Sequence, residues 1–234
     1  MAIWFGLILG AYLLGSVPAA YLVAKFRGLD LRQYGTGQAG AGNLWRLTSW
    51  RLGLPAGVFD FSKGWVMVWV AQLVGLDIAQ QLVVGLAAII GHNWSVFLRF
   101  SGGRGVGTTI GVIFILPIVN EMAPWATIAF FGFLIIGSIM LRSSPLPVFA
   151  GVMAMPVVSS FFEPLSVTSG FLAIFLIIVI RRLTAPRAAE AISVSKGRLL
   201  LNRLLFDRDI MDRKFWMSRK PLGTGAKENS GKES

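Results

Sequence analysis

The chain contains no cysteine and a single histidine, His92. The first absence excludes a disulfide framework, a thiol nucleophile and a cysteine metal site. One imidazole is too few for a zinc or di-iron centre, so no metal and no cofactor is expected. Charge is scarce as well: 14% of the 234 residues are Asp, Glu, Lys or Arg, where a soluble domain carries about a quarter. Acidic residues are the scarcer kind, 11 against 22 Lys and Arg. The start of the chain has no basic run before its first apolar stretch and no small-residue cleavage signal after it. That stretch is expected to remain as a membrane span rather than to be removed as a signal peptide.

What is present is apolar length. The hydrophobic fraction is 55% and the mean hydropathy is +0.68. Runs close to the ~20 residues that cross a bilayer core as helix fall at about 2–24, 53–74, 80–98, 106–121, 124–141, 145–162 and 164–181. They predict an all-α integral membrane protein, a bundle of about seven transmembrane helices. Charge predicts the orientation, because cytoplasmic loops carry the excess of Lys and Arg. With the N-terminus outside, the inner segments are 25–52, 99–105, 142–144 and 182–234. With Lys63 and Arg181 near inner helix ends, all 22 basic residues then lie on the inner side, whereas the outer connections hold only Asp77, Glu121 and Glu163. The C-terminus is therefore cytoplasmic.

Residues 1–182 form the membrane domain in this reading, and 183–222 a basic cytoplasmic segment. Its partly amphipathic run from Leu199 to Phe206 suits anionic lipid headgroups. Residues 223–234 are small and polar and are expected to be disordered. The basic excess is accounted for by topology, so no nucleic-acid partner is expected. Oligomeric state is not readable.

Glycine, small hydroxyls and arginine cluster in three segments at the predicted inner face. In the first, Gly35, Gly37, Gly40 and Gly42 surround Thr36 and lead to Asn43 and Arg46. Closely spaced glycines let a backbone bend and aim N–H groups at an anion, and an arginine can fork onto a phosphate. A flexible loop or a close helix contact is the alternative. In the second, Gly91, His92 and Asn93 precede Gly102, Gly103, Arg104, Gly105 and Thr108. An arginine in a glycine turn at a helix start suits a phosphate. Glycines that merely permit tight re-entry into the bilayer would read the same way. In the third, Asp60 and Lys63 share a helix face, as a ligand contact or as a self-neutralising structural pair. His92 has no catalytic partner near it in sequence. Phe97 occupies the fifth position after it, which excludes the His-x4-Asp signature of many acyltransferases.

Taken in order, these pieces resemble one family, the bacterial membrane-bound acyl-phosphate:glycerol-3-phosphate acyltransferases. The stretch from Gly15 to Lys25 is similar to the family's opening helix. Asp30 to Arg32, with Gly35 through Arg46, resembles its first cytosolic motif, and Gly102 to Val106 with Thr108 its second. The resemblance covers roughly residues 5 to 110 and agrees with the seven-helix, N-out topology. It implies acyl transfer from acyl phosphate to the 1-hydroxyl of glycerol 3-phosphate, giving lysophosphatidic acid at the cytoplasmic face of a bacterial inner membrane. It assigns Thr36, His92 and Arg104 to catalysis, with His92 orienting the loop. Gly35, Gly37, Asn43, Arg46, Asp60, Lys63, Gly102, Gly103, Gly105 and Thr108 are assigned to substrate binding.

The chain also departs from the pattern. Thr36, Gln38 and Gly42 stand where the family usually has Ser, Asn and Thr, and Ser101 and Arg104 where it has lysines. After the last span, Gly197, Leu200, Arg203, Leu204, Asp207 and Asp209 fall in the register of a third motif that reads His, Asn, Arg, Leu, Gly and Glu. Two alternatives therefore stay open: a catalytically weakened homologue that binds phospholipid precursors, and a small organic-phosphate transporter. A transporter should show repeat symmetry and broken helices at mid-membrane, whereas here the polar groups gather at one face.

Overall fold

The structure is a computed structural model that describes residues 1–218. The disordered tail expected at 223–234 and the last residues of the basic segment lie outside the described residues. Among the described residues all regular structure is helical. The elements are α1 (Ala2–Ser16), α2 (Ala19–Lys25), α3 (Ala41–Leu47), α4 (Trp50–Leu73), α5 (Ile78–Asn93), α6 (Val106–Val119), α7 (Trp125–Leu141), α8 (Pro145–Phe162), α9 (Leu165–Leu183), α10 (Lys196–Phe206) and α11 (Arg213–Met217). Four stretches are long and apolar enough to cross a membrane: Ala2–Lys25, Ile78–Leu98, Pro145–Phe162 and Leu165–Leu183. Helices α6 and α7 are apolar but shorter.

The first apolar run, expected as one helix over 2–24, breaks at Val17 and Pro18. Proline lacks the N–H that would continue the ladder, and its ring collides with the preceding turn. The carbonyls released there find donors elsewhere, as backbone in apolar surroundings must. Gly15 and Val17 accept from Lys63 Nζ at 3.2 and 2.6 Å, and Ser16 accepts from Ser95 Oγ at 2.5 Å. Helix α5 begins earlier than expected because Asp77 caps it, with Gln80 closing a capping box. It ends at Asn93, and Val96–Leu98 adds a single 3-10 turn.

Missing side chains set the helix contacts. A Cβ on Gly64 would strike the Thr108 carbonyl, and one on Gly111 the Phe61 carbonyl, so α4 and α6 meet backbone to backbone. Gly15 and Gly91 bring α1 and α5 together in the same manner. Leu82 and Ile89 of α5, Val112 of α6, Phe130 of α7, Met155 of α8 and Ile174 of α9 share one buried core. Ile135, Ile136 and Ile139 of α7 point outward and are exposed, a distribution suited to lipid rather than water. Beyond α9 the chain folds back. Arg182 donates to the carbonyls of Leu204 and Pro145 at 2.6 and 2.7 Å, and Arg203 donates to that of Leu183 at 2.9 Å. Arg203 also pairs with Asp209 at 2.6 Å. Buried Leu199, Asn202 and Arg203 dock α10 onto the bundle.

Candidate active site

The turn between α5 and α6 is built on α5's last residues. Gly102 and Gly103 donate their N–H groups to the carbonyls of Asn93 and His92 at 3.2 and 3.0 Å. From α9, Arg181 clamps the same turn, donating to the carbonyls of Gly103 and Gly102 at 2.9 and 2.8 Å. The amide nest expected from Gly102 and Gly103 is thus already engaged within the protein. What reaches the open side is Arg104, Gly105 and the N-terminus of α6. Gly105 caps that helix at φ 71°, a conformation glycine adopts without strain.

The first glycine-rich segment is held by Asn43. Its amide nitrogen donates to the carbonyls of Leu31, Tyr34 and Gln38 at 3.0, 3.1 and 3.1 Å, and its Oδ1 accepts from the Thr36 N–H at 3.0 Å. Asn43 is 2% exposed, and every polar atom of its side chain is used. It holds the loop rather than presenting itself to a ligand. Gly37 donates to Tyr34, and Gly35 leaves no room for a Cβ beside Asn43 Oδ1. Thr36 keeps a hydroxyl with no partner in the protein.

Asp60 and Lys63 form an ion pair at 2.8 Å inside α4, and Thr108 Oγ1 donates to the Asp60 carbonyl at 3.0 Å. The partner for His92 that sequence proximity did not supply is Asp60, 32 positions earlier. Nδ1 of the ring stands 3.4 Å from Asp60 Oδ1. The other nitrogen, Nε2, lies directly under Gly103, where a Cβ would collide with it. Nδ1 thus faces Asp60 and the Nε2 edge packs against Gly103, so His92 supports the turn from below.

These pieces converge on one cavity of about 260 Å³. Of the residues singled out in the sequence, Thr36, Arg46, Asp60, His92, Arg104 and Gly105 line it; Gly35, Gly37, Asn43, Lys63, Gly102, Gly103 and Thr108 stand behind it as supports. Sequence reasoning did not assign Arg182, Arg208 and Arg213 to the site, and noted Gln38 and Asp207 only as departures from the family pattern, yet all five line it too. Several belong to the returning C-terminal segment, whose docking has no local signal beyond its density of arginine. Asp207, in the left-handed conformation at the end of α10, pairs with Arg104 at 2.7 Å and accepts from Gln38 Nε2 at 3.0 Å. Burial, and then the neighbouring Arg213, holds the Arg208 guanidinium below its ordinary value, with Asp212 opposing. Desolvation by surrounding protein and then Arg213 lower Arg46 as well, although its side chain still reaches solvent at the rim. Cations crowded this closely are suited to an anionic ligand. Val148, Phe206 and Met217 add an apolar wall.

The sequence model of the family described as glycerol-3-phosphate acyltransferase matches residues 5–188. Glycerol-3-phosphate acyltransferase 4 of Dehalococcoides mccartyi (strain CBDB1) is 42% identical over 221 residues, covering 91% of this chain and 92% of that one. A crystal structure of PlsY, an integral membrane glycerol 3-phosphate acyltransferase, in its glycerol 3-phosphate form superposes with a TM-score of 0.68. It is 29% identical, over 86% of this chain and 93% of that one. The lysophosphatidic acid form of PlsY gives a TM-score of 0.65 at 27% identity, over 87% and 97% of the two chains.

Proposed function

The chain belongs to the glycerol-3-phosphate acyltransferase family, and on that premise we propose that it moves a fatty acyl group from an acyl phosphate to the 1-hydroxyl of glycerol 3-phosphate. The product is lysophosphatidic acid, a precursor of membrane phospholipid. The enzyme is an integral membrane protein. Its seven spans are the α1–α2 pair, α4, α5, α6, α7, α8 and α9, with the N-terminus outside and the cavity on the cytoplasmic face of a bacterial inner membrane.

The observation that carries this reading is the convergence of Thr36, Arg46, Arg104 and the α6 N-terminus on one arginine-rich cavity with an apolar wall. Both substrates bear a phosphoryl group, and one also bears an acyl chain. The Thr36 hydroxyl, Arg46, Arg104 and the helix end hold the phosphoryl groups. Val148, Phe206 and Met217 give the acyl chain a path towards the membrane. The 1-hydroxyl oxygen attacks the carbonyl carbon of the mixed anhydride, and the carbon–oxygen bond to phosphate breaks with its electron pair going to phosphate. The hydroxyl proton leaves with that phosphate. The donor is already activated, so the protein's part is to align the reactants and stabilise developing charge. His92, with Nδ1 beside Asp60, its carbonyl accepting from the Gly103 N–H and its ring packed against Gly103, keeps the Arg104 turn in place for this.

The test is turnover by the purified full chain in detergent supplied with acyl phosphate and glycerol 3-phosphate. Inorganic phosphate and lysophosphatidic acid are expected to appear in equal amounts. Phosphate release without lysophosphatidic acid, or neither product from folded protein, would overturn the reading.

A further inference from the structure

The cavity contains a carboxylate where a phosphate site would not be expected to have one. Asp207 comes from the end of α10, far along the chain from both glycine-rich segments, yet it touches each of them. Its Oδ1 stands 2.7 Å from Arg104 Nε, and its Oδ2 accepts from Gln38 Nε2 at 3.0 Å. The Arg104 N–H does not point along the line to Oδ1, so that contact is an ion pair rather than a hydrogen bond. Arg104 is further held by a bond from Nη1 to the Arg181 carbonyl at 3.1 Å. Asp207 keeps these contacts while sitting at φ 54°, a backbone region in which residues other than glycine are uncommon.

A carboxylate at such a place can act in two opposed ways. It can compete with the ligand for Arg104, or it can hold Arg104 ready for the ligand. Two observations decide for the second. Asp207 stands at Nε and the Arg181 carbonyl takes Nη1, while among the described residues no protein acceptor meets Nη2, which leaves that nitrogen for a ligand. The cavity is also cationic enough to tolerate it: Arg46, Arg104, Arg182, Arg208 and Arg213 line it against Asp60 and Asp207, and Asp60 already faces Lys63. Even with Asp207 ionised, the surplus is positive. Arg104 itself rises from a glycine turn, and a long side chain on such a base loses several rotatable bonds on binding unless something holds it beforehand.

We propose that Asp207 is a positioning residue of the phosphate site, its carboxylate tying the Nε edge of Arg104 and the Gln38 amide to the end of α10. The proposal deepens the reading above and rests on it for the identity of the ligands. By this contact the C-terminal segment is part of the binding site and not only its cover.

The experiment uses the full chain with Asp207→Asn, Asp207→Gly, Asp207→Glu, Arg104→Lys and the Asp207→Asn/Arg104→Lys double substitution. KM and kcat for both substrates, the Kd for inorganic phosphate and Tm are measured together. Asparagine keeps the size but removes the charge, and glycine also relieves the left-handed backbone. Both are expected to raise KM for one phosphate substrate, and the Kd for inorganic phosphate, about 10-fold at nearly unchanged Tm. Glutamate is expected to recover part of the loss. The double substitution is expected to be less damaging than the product of the two single effects, because Asp207 acts through Arg104. An unchanged or lower KM and Kd in both the asparagine and glycine variants would overturn the proposal, a lower value meaning that the carboxylate competes with the ligand. A fall in Tm and kcat at constant KM would reduce Asp207 to a structural role. If the wild type shows no acyl transfer, the functional reading fails while the Kd for inorganic phosphate still decides the role of Asp207. A wild type that does not bind inorganic phosphate at all would overturn this proposal also.

Discussion

Arg46 reaches the cavity from α3 and Arg104 from the turn before α6, where Asp207 faces only part of its guanidinium. A guanidinium that meets a phosphoryl oxygen in the transition state contributes on the order of 2–4 kcal/mol there. Arg46→Ala and Arg104→Ala are therefore each expected to lower kcat/KM about 100-fold or more, with Tm and elution volume in detergent unchanged. Lysine at either position keeps the charge but loses the fork, and is expected to recover only part of the activity. Full activity in both alanine variants would remove these arginines from the site. At this scale the sequence was readable for residue type but not for the direction a side chain takes. Thr36, Arg46 and Arg104 line the cavity, whereas Asn43 uses its whole amide on the backbone of its own loop. Nothing in the spacing distinguishes those two uses of an asparagine. The departures at Gln38, Arg104 and Asp207, scattered over three segments of the sequence, are in the structure a single contact. A longer amide, a guanidinium in place of an ammonium and a new carboxylate form one cluster, which an inspection of each motif alone does not reveal.

The helices carry that cluster, and their close approach is what places Asp60, Lys63 and His92. Helix α4 touches α6 with no side chain between them at Gly64 and Gly111, and the contact lets Thr108 bond the Asp60 carbonyl. Gly111→Ala would set a methyl group against the Phe61 carbonyl. Overpacking of this kind costs about 1–3 kcal/mol, so a clear fall in Tm is expected together with reduced activity as Asp60 and the turn beneath Arg104 shift. Gly132→Ala is the control, because nothing lies within 4 Å of a Cβ there, and it is expected to leave both unchanged. Equal Tm values for the two variants would mean that α4 and α6 separate without penalty. The ranges of α4 to α9 were legible to within a few residues at most ends because each is a long apolar run with a polar break on either side. The interruption at Pro18 was visible as a residue, but its consequence was not. Which donor would take the freed carbonyls depends on α4 lying alongside, and Lys63 does so from 46 residues away. Nor was the return of α10 to the bundle legible, since it depends on buried Arg182, Arg203 and Asp209 meeting only in the folded chain.

Across the whole molecule, the distribution of charge and the location of the cavity point to the same end of the bundle. The cavity gathers residues from the segments read as cytoplasmic, 25–52, 99–105, 142–144 and the stretch after 182. The opposite connections hold Asp77, Glu121 and Glu163, and there a neutral amide cluster of Gln72, Gln81 and Asn120 ties α4, α5 and the end of α6. On the proposed reaction a site for two anionic substrates would open on that side, the side to which the positive-inside bias assigns these loops. The absence of cysteine makes the orientation directly measurable. A single cysteine introduced by Glu163→Cys is expected to react with a membrane-impermeant maleimide on intact cells, whereas one introduced by Lys196→Cys is expected to react only after the membrane is opened. The reverse pattern would put the cavity outside, away from its substrates, and would overturn both the topology and the reaction assigned to it. Labelling of both in intact cells would mean that the chain inserts in two orientations, which a basic excess concentrated on one side opposes at every inner loop.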